Sequence, residues 1–318
     1  MRDEDRPTRG GAVAVFAPVT LLTITLERAG EDDDELHVHP GGQGVWQARM
    51  VTELGARAVL CTLLGGETGA VVEALLAAEG IEHRGVSMAA DNPAWIHDRR
   101  DGERKPLWEA PPFAPGRHEV DELFSAALAA GLQCEVCAMA GTHEGVAELK
   151  AETYGRLVGD LRSAGSQVVV DLTGDELASA LEASPDVVKV SDEDMRKDGR
   201  LQGDSPGDLE KLVAALHADG AGRVVVSRAD SGAIASDGSQ IVEVGVPRLG
   251  VADSRGAGDS MTAALAVGLS RSLAWEDAVR LAAAASAINV TRHGSGSGRA
   301  DAIAELAERV TIEELTAG

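Results

Sequence analysis

From Val120 onward the chain alternates short β-branched runs with longer stretches of helical periodicity, and this alternation restricts the fold more than any other feature. Val136–Ala140, Val168–Asp171, Val187–Val190 and Arg223–Ser227 read as buried strands. Val120–Ala130, Tyr154–Ala164, Asp175–Ala183, Leu209–Ala218 and Trp275–Asn289 read as helices between or after them. Strands separated by helices pair in parallel and need both faces covered. The expected fold class is therefore α/β, a three-layer sandwich around a mainly parallel central sheet. Before Val120 the rhythm differs. Ala12–Ala17 and Ala58–Leu64 fit the buried sheet, Ala70–Glu79 reads as a helix, and Gly65-Gly-Glu-Thr-Gly69 as a loop. Leu21–Glu27, Leu36–His39 and the hairpin Trp95–Arg99/Lys105–Glu109, turning at Asp101-Gly102, are short and alternating. These are expected to form a small separate β-sheet lid, drawn from about residues 20–40 and 92–110. Met1–Gly11 is polar and reads as a disordered tail, leaving one domain over residues 12–318.

Aromatic residues are only 3% of the chain, so the core must rest on Ala, Val and Leu. With 29 basic against 52 acidic residues the net charge is −23, which argues against nucleic acid and anionic membranes as partners. Any anionic ligand then needs a locally basic pocket. Cys61, Cys134 and Cys137 make no disulfide framework, which fits a reducing cytoplasm. Cys134-x-x-Cys137 lies in an apolar run and reads as buried strand sequence. His37-x-His39 falls on one face of a strand without further ligands. The apolar stretch Ala12–Leu26 has no positively charged leader and is interrupted by Pro18, so two strands explain it better than a signal peptide or membrane span. Neither Gly-x4-Gly-Lys-Ser/Thr nor Gly-x-Gly-x-x-Gly occurs, which removes the P-loop and dinucleotide readings.

The stretch with the clearest chemistry is Asp253-Ser-Arg-Gly-Ala-Gly-Asp-Ser-Met261. Strand-like sequence precedes it (Gln240–Gly250), and Met261, Ala264, Leu265 and Leu269 follow at helical spacing. Gly256-Ala257-Gly258 thus stands where a loop becomes a helix, with backbone N–H groups uncovered and the helix dipole favouring an anion. Asp259 falls in the first turn. A carboxylate beside such donors can take a proton from a hydroxyl while the donors hold a migrating phosphoryl group. Asp at a helix start is also an ordinary cap.

This segment resembles the C-terminal signature of the ribokinase/PfkB family of sugar kinases, and the likeness extends over roughly Ala12–Leu315. Within the family it leans toward the 1-phosphofructokinase and tagatose-6-phosphate kinase subgroup. Gly41-Gly42 and Gly65–Gly69 resemble the N-terminal signature, Asp171-Leu-Thr-Gly174 a Asp-x-Ser-Gly motif, and Lys189-Val-Ser-Asp-Glu-Asp194 a Lys-Pro-Asn-x-x-Glu motif. The resemblance implies a ribokinase-like fold and phosphotransfer from ATP with Mg²⁺ to an alcohol of a carbohydrate-like acceptor. It implies Asp259 as base and Gly256, Ala257 and Gly258 as anion hole. Lys189, Ser191, Ser227, Gly232 and Asp253 would meet the nucleotide, Asp194 the metal, and Gly41, Gly42, Gln43 and Trp46 the substrate. It also implies a cytoplasmic homodimer joined through the lid.

The acceptor end departs from the family pattern. Leu21 replaces a sugar-gripping Asp, Gln43 a Lys and Trp46 an Asn, and the stretch Asp91–Ala94 lacks the usual Arg. Ala140-Gly-Thr-His-Glu-Gly145 replaces Gly-Ser-Leu-Pro-Pro-Gly, Ala229 replaces a usual Gly, and Arg255 replaces a small residue. Arg49, Arg99 and Arg100 are candidate replacements for the lost cations. Leu21 and Trp46 point either to a more apolar acceptor or to core packing. Two other readings stay open: a nucleotide- or metabolite-binding regulator that has lost catalysis, and a nucleoside kinase of the same superfamily.

Overall fold

The computed structural model describes residues 11–30, 33–110, 114–142, 149–292 and 294–315. The expected N-terminal tail up to Gly10 and the whole segment from His143 to Gly145 lie outside these. Strand β1 (Ala12–Phe16) is followed by β2 (Leu21–Arg28) and β3 (Asp34–Gly41), then α1 (Gln43–Glu53), β4 (Arg57–Leu64), α2 (Gly66–Ala78) and β5 (Glu82–Ser87). The hairpin β6 (Ala94–Asp98) and β7 (Lys105–Glu109) precedes α3 (Arg117–Gly131), β8 (Val136–Ala140), α4 (Ala151–Ser163) and β9 (Gln167–Asp171). Next come α5 (Gly174–Glu182), β10 (Val187–Ser191), α6 (Asp192–Lys197), α7 (Pro206–Ala218), β11 (Arg223–Ser227), β12 (Ala233–Ser236) and β13 (Ile241–Gly245). The chain closes with α8 (Ala257–Ser270), α9 (Trp275–Asn289), α10 (Ala300–Ala307) and β14 (Thr311–Glu314).

Ten strands form the large sheet, in the order β14-β13-β12-β11-β10-β9-β8-β1-β4-β5. From β5 to β11 neighbours are parallel, and β12 to β14 add an antiparallel margin. Successive residues of β1 serve opposite layers. Val13 and Val15 join the core packed by α1, α8 and α9, while Ala14 and Phe16 join the core under α3, α4 and α7. That is the three-layer arrangement a continuously apolar strand demands. With few aromatics, helices approach through alanine. Asp259–Leu269 of α8 is buried without interruption, and Ala282–Ala285 of α9 is buried beside it. A helix apolar on every side belongs in the interior.

The second sheet has the order β3-β2-β6-β7, with β2 and β6 parallel and both hairpins antiparallel. Buried Asn92 fastens it to the core. Its amide donates to the Thr20 carbonyl (2.9 Å) and the Leu63 carbonyl (3.0 Å), and its carbonyl accepts from Gly65 N–H (2.8 Å). The glycine-rich segment expected as a loop is instead helical from Gly66, and its glycines let the main chain lie against Asp91 and Asn92, where side chains would collide. His37 and His39 stack on one face of β3, ring centroids 6.0 Å apart. The three cysteines are buried and free.

Candidate active site

The C-terminal ends of the parallel strands carry the polar residues, as open α/β sheets do at their ligand crevices. Lys189 on β10 stands in register with Asp171, the last residue of β9. Its Nζ donates to Asp171 Oδ2 at 3.1 Å, and Thr262 Oγ1 of α8 donates to the same oxygen at 2.8 Å. Lys189 and Asp171 are almost completely enclosed. Removing one partner of such a pair would leave an uncompensated buried charge.

α8 begins at this cluster. Gly256 is its N-cap with φ 71° and ψ 6°, a left-handed conformation that disfavours a side chain, and no side chain caps the helix. The first N–H groups of the helix are therefore available to a ligand. A Cβ added at Gly258 would lie 2.5 Å from Lys189 Nζ, so the ammonium sits against the glycine backbone only because position 258 lacks a side chain. Asp259 is 6% exposed, and Gln47 Nε2 donates to its Oδ1 at 3.4 Å. Burial first, and then the charge of Asp171, push its pKa from 3.8 up to about 7, while Lys189 and Gln47 pull the other way. A carboxyl so placed can gain or lose a proton near neutrality, a property that capping alone does not require.

Asn289, at the end of α9, holds the loop in place. Its amide donates to the Arg255 carbonyl at 2.6 Å, and its carbonyl accepts from Gly296 N–H at 2.8 Å. Asp171 enters the sequence reading as the first residue of a family-like motif with no role attached, and Thr262, Gln47 and Asn289 do not enter it as site residues. Only the Thr262 spacing, one helical turn beyond Gly258, carried a signal.

The expected residues divide into two groups. Gln43 and Trp46, from the start of α1, share with Gly256 and Asp259 an open cleft of about 410 Å³, a first chamber that Trp95, His97 and Glu109 of the small sheet line from the other side. A second chamber of about 290 Å³ continues past Trp46 and Trp95 toward His39, Arg49 and Arg104. Gly41 ends β3 and Gly42 caps α1. Leu21 is buried in the core and lines neither chamber, so of the two apolar replacements only Trp46 faces the cavity.

On the other side, Ser191 ends β10 and Ser227 ends β11, where Ser227 Oγ donates to the Val190 carbonyl at 3.3 Å. Gly232 closes the turn after Arg228. Asp194 is joined to Ser191, whose Oγ caps α6 by accepting from Asp194 N–H at 3.0 Å. Asp192 and Glu193 pair with Arg196 and Lys197 one turn on, as a solvated helix face does. Asp253 faces the lid: Arg99 Nη1 and Arg104 Nη2 lie 3.4 and 3.5 Å from its Oδ2. Arg49 is bound to Glu79, and Arg100 to Asp98 and Asp34 on the lid surface.

The pfkB family carbohydrate kinase model matches residues 19–302. The chain belongs to that family. It is an ATP-dependent sugar kinase with a ribokinase-like fold. The 1-phosphofructokinase of Rhodobacter capsulatus is 29% identical over 286 residues, covering 87% of this chain and 88% of the relative. The tagatose-6-phosphate kinase of Staphylococcus epidermidis is 22% identical over 280 residues, covering 86% and 89%. Among solved structures, phosphofructokinase-2 of Escherichia coli superposes with a TM-score of 0.82 at 23% identity, covering 94% of this chain and 99% of that one.

Proposed function

We propose that this kinase transfers the γ-phosphoryl group of ATP to a hydroxyl of a small carbohydrate-like acceptor, in the manner of a 1-phosphofructokinase, with Asp259 as base. The observation that carries this reading is a buried Asp259, its pKa raised to about 7, in the first turn of α8 beside open N–H groups and Lys189. An acceptor lying along Gln43 and Trp46 presents its hydroxyl to Asp259, which removes the proton as the oxygen attacks. The N–H groups of Ala257 and Gly258 meet the charge on the transferred group, and Lys189 adds a cation that Asp171 and Thr262 keep in position. Gln47 orients the carboxylate from behind.

The cradle suits a phosphate, since position 258 lacks the side chain that would crowd the lysine and no residue caps the helix. Ser191, Ser227 and Gly232 would hold the nucleotide and Asp194 the magnesium ion. Bound together, these supply the phosphoryl group and neutralise part of its charge. Asp253 contributes on the acceptor side, through the lid arginines that it binds. Leu36, Leu107 and Trp108 are all more than half exposed on the small sheet, which supports a homodimer formed through it. Light scattering reads that directly.

The test is ADP release with Mg-ATP over free sugars, sugar phosphates and nucleosides. Acceptor-dependent release that vanishes in Asp259→Asn supports the reading. Release unchanged in that variant refutes it.

A further inference from the structure

Arg255 occupies an unusual electrostatic position. It is half-buried and lines both chambers, one step before the left-handed Gly256. Its main chain is engaged at both ends, the N–H by Asp253 Oδ1 (3.1 Å) and the carbonyl by Asn289. Its guanidinium, by contrast, makes no hydrogen bond or ion pair among the described residues. Burial lowers its pKa, with Arg99 adding to the effect; the carboxylates of Asp253 and Glu109 act on it electrostatically without touching it.

Arg104 enters the same region from the lid. Its Nη2 lies 3.5 Å from Asp253 and its Nη1 3.5 Å from His97 Nδ1, while its Nε is buried with no partner. Burial, and then the charge of Arg255, push its pKa down to about 10. Arg99 draws on the same Asp253 carboxylate. Arg99 also lies 3.6 Å from Glu27, so Asp253 and Glu27 answer Arg99 and Arg104, while Arg255 alone of the three has no carboxylate within ion-pair distance among the described residues. The buried Arg104 Nε is a donor without an acceptor, which is costly unless a ligand supplies one. Trp46 and Trp95, two of the four tryptophans, line both chambers beside these guanidiniums.

We propose that Arg255 and Arg104 form an anion-binding subsite, and that the acceptor is an anionic alcohol whose body lies against Trp46 and Trp95. The planar fork of each guanidinium matches a phosphate or carboxylate. The indole of Trp46 lines both chambers beside Trp95, so the acceptor shows that wall a flat, hydroxyl-poor face. Only the placement of its reacting hydroxyl at Asp259 rests on the kinase reading above. The anion subsite stands on Arg255 and Arg104 alone.

Tryptophan fluorescence of the full chain tests this without turnover. Two pairs of probes are compared: fructose 6-phosphate with fructose, and 4-(hydroxymethyl)benzoate with benzyl alcohol. The anionic member of a pair is expected to bind about tenfold or more tightly. Preference in the first pair alone assigns the subsite to phosphate, and in the second to carboxylate. Arg255→Gln and Arg104→Gln should abolish the preference while leaving the neutral members unchanged. Arg255→Lys, which keeps the charge without the fork, should keep part of it. Equal binding within both pairs, no binding of any probe, or a preference that survives both glutamine variants overturns the proposal. The native protein alone decides the first two outcomes, whether or not a variant folds. Anion preference without phosphotransfer from ATP would leave the subsite standing and sink the kinase reading instead.

Discussion

Asp259→Asn is expected to inactivate the protein and stabilise it at the same time. In the unfolded chain this carboxyl ionises near 3.8, and in the folded protein near 7. A folded-state pKa above the unfolded one means that native stability is fully present below pH ~3.8 and is lost as pH rises through 7. Carried to pH 8, the difference amounts to about 4 kcal/mol. The asparagine amide keeps the shape, still accepts from Gln47, and removes the charge that burial and Asp171 oppose. The attraction of Lys189 is already contained in the folded value, so the net gain at pH 8, less what the amide loses in hydrogen-bond geometry, should be about 2–4 kcal/mol. At pH 5 only about a third of the effect has accrued. Urea denaturation of both proteins at pH 5 and pH 8 measures it, alongside kcat with Mg-ATP. The expected pattern is loss of turnover with a stability gain at least twice as large at pH 8 as at pH 5. A variant less stable than the parent at pH 8, or an equal gain at both pH values, would refute the account of Asp259.

Gly258→Ala pushes a methyl group against Lys189 Nζ and should lower kcat about 100-fold, with the melting temperature little changed; steady-state kinetics and calorimetry separate the two. Asn289→Ala frees the Arg255 carbonyl and Gly296 N–H together and should cost about 2–4 kcal/mol in urea denaturation. Ala229 has φ 42°, a left-handed backbone for a residue with a Cβ. Ala229→Gly should therefore raise stability by about 0.5 kcal/mol, after the entropy that glycine adds to the unfolded chain. A loss of stability would show that this turn is not strained.

The parallel sheet was legible because its strands are buried on both faces and read as unbroken apolar runs, as at Val168–Val170 and Val224–Val226. The small sheet was legible by contrast, through short alternating segments. What escaped were elements specified by neighbours. β5 (Glu-His-Arg-Gly-Val-Ser) is a polar edge strand made by pairing with β4, and β14 is paired only with β13. α6 has six residues and depends on the Ser191 cap. In the candidate site, Gly256–Asp259 stood out because one local run places glycines and a carboxylate at a helix start. Asp171 and Asn289 act through residues roughly 90 and 34 positions away in the chain, and no spacing within one segment announces such partners. Arg255 and Arg104 meet only because the lid folds over the start of α8.

The uninterrupted burial of α8 has a consequence for how the protein fails. The proposed phosphoryl-holding end is mounted on a helix packed on every side, whereas the proposed acceptor chamber is lined by a sheet whose outer strand β7 is exposed along its whole length in the single chain. Opening of that sheet needs far less of the core than loss of α8. Mild heat or denaturant will therefore admit water to the acceptor's place while the phosphoryl hole is still intact. The first symptom of damage is then a leak of ATP to hydrolysis, before any fall in nucleotide binding.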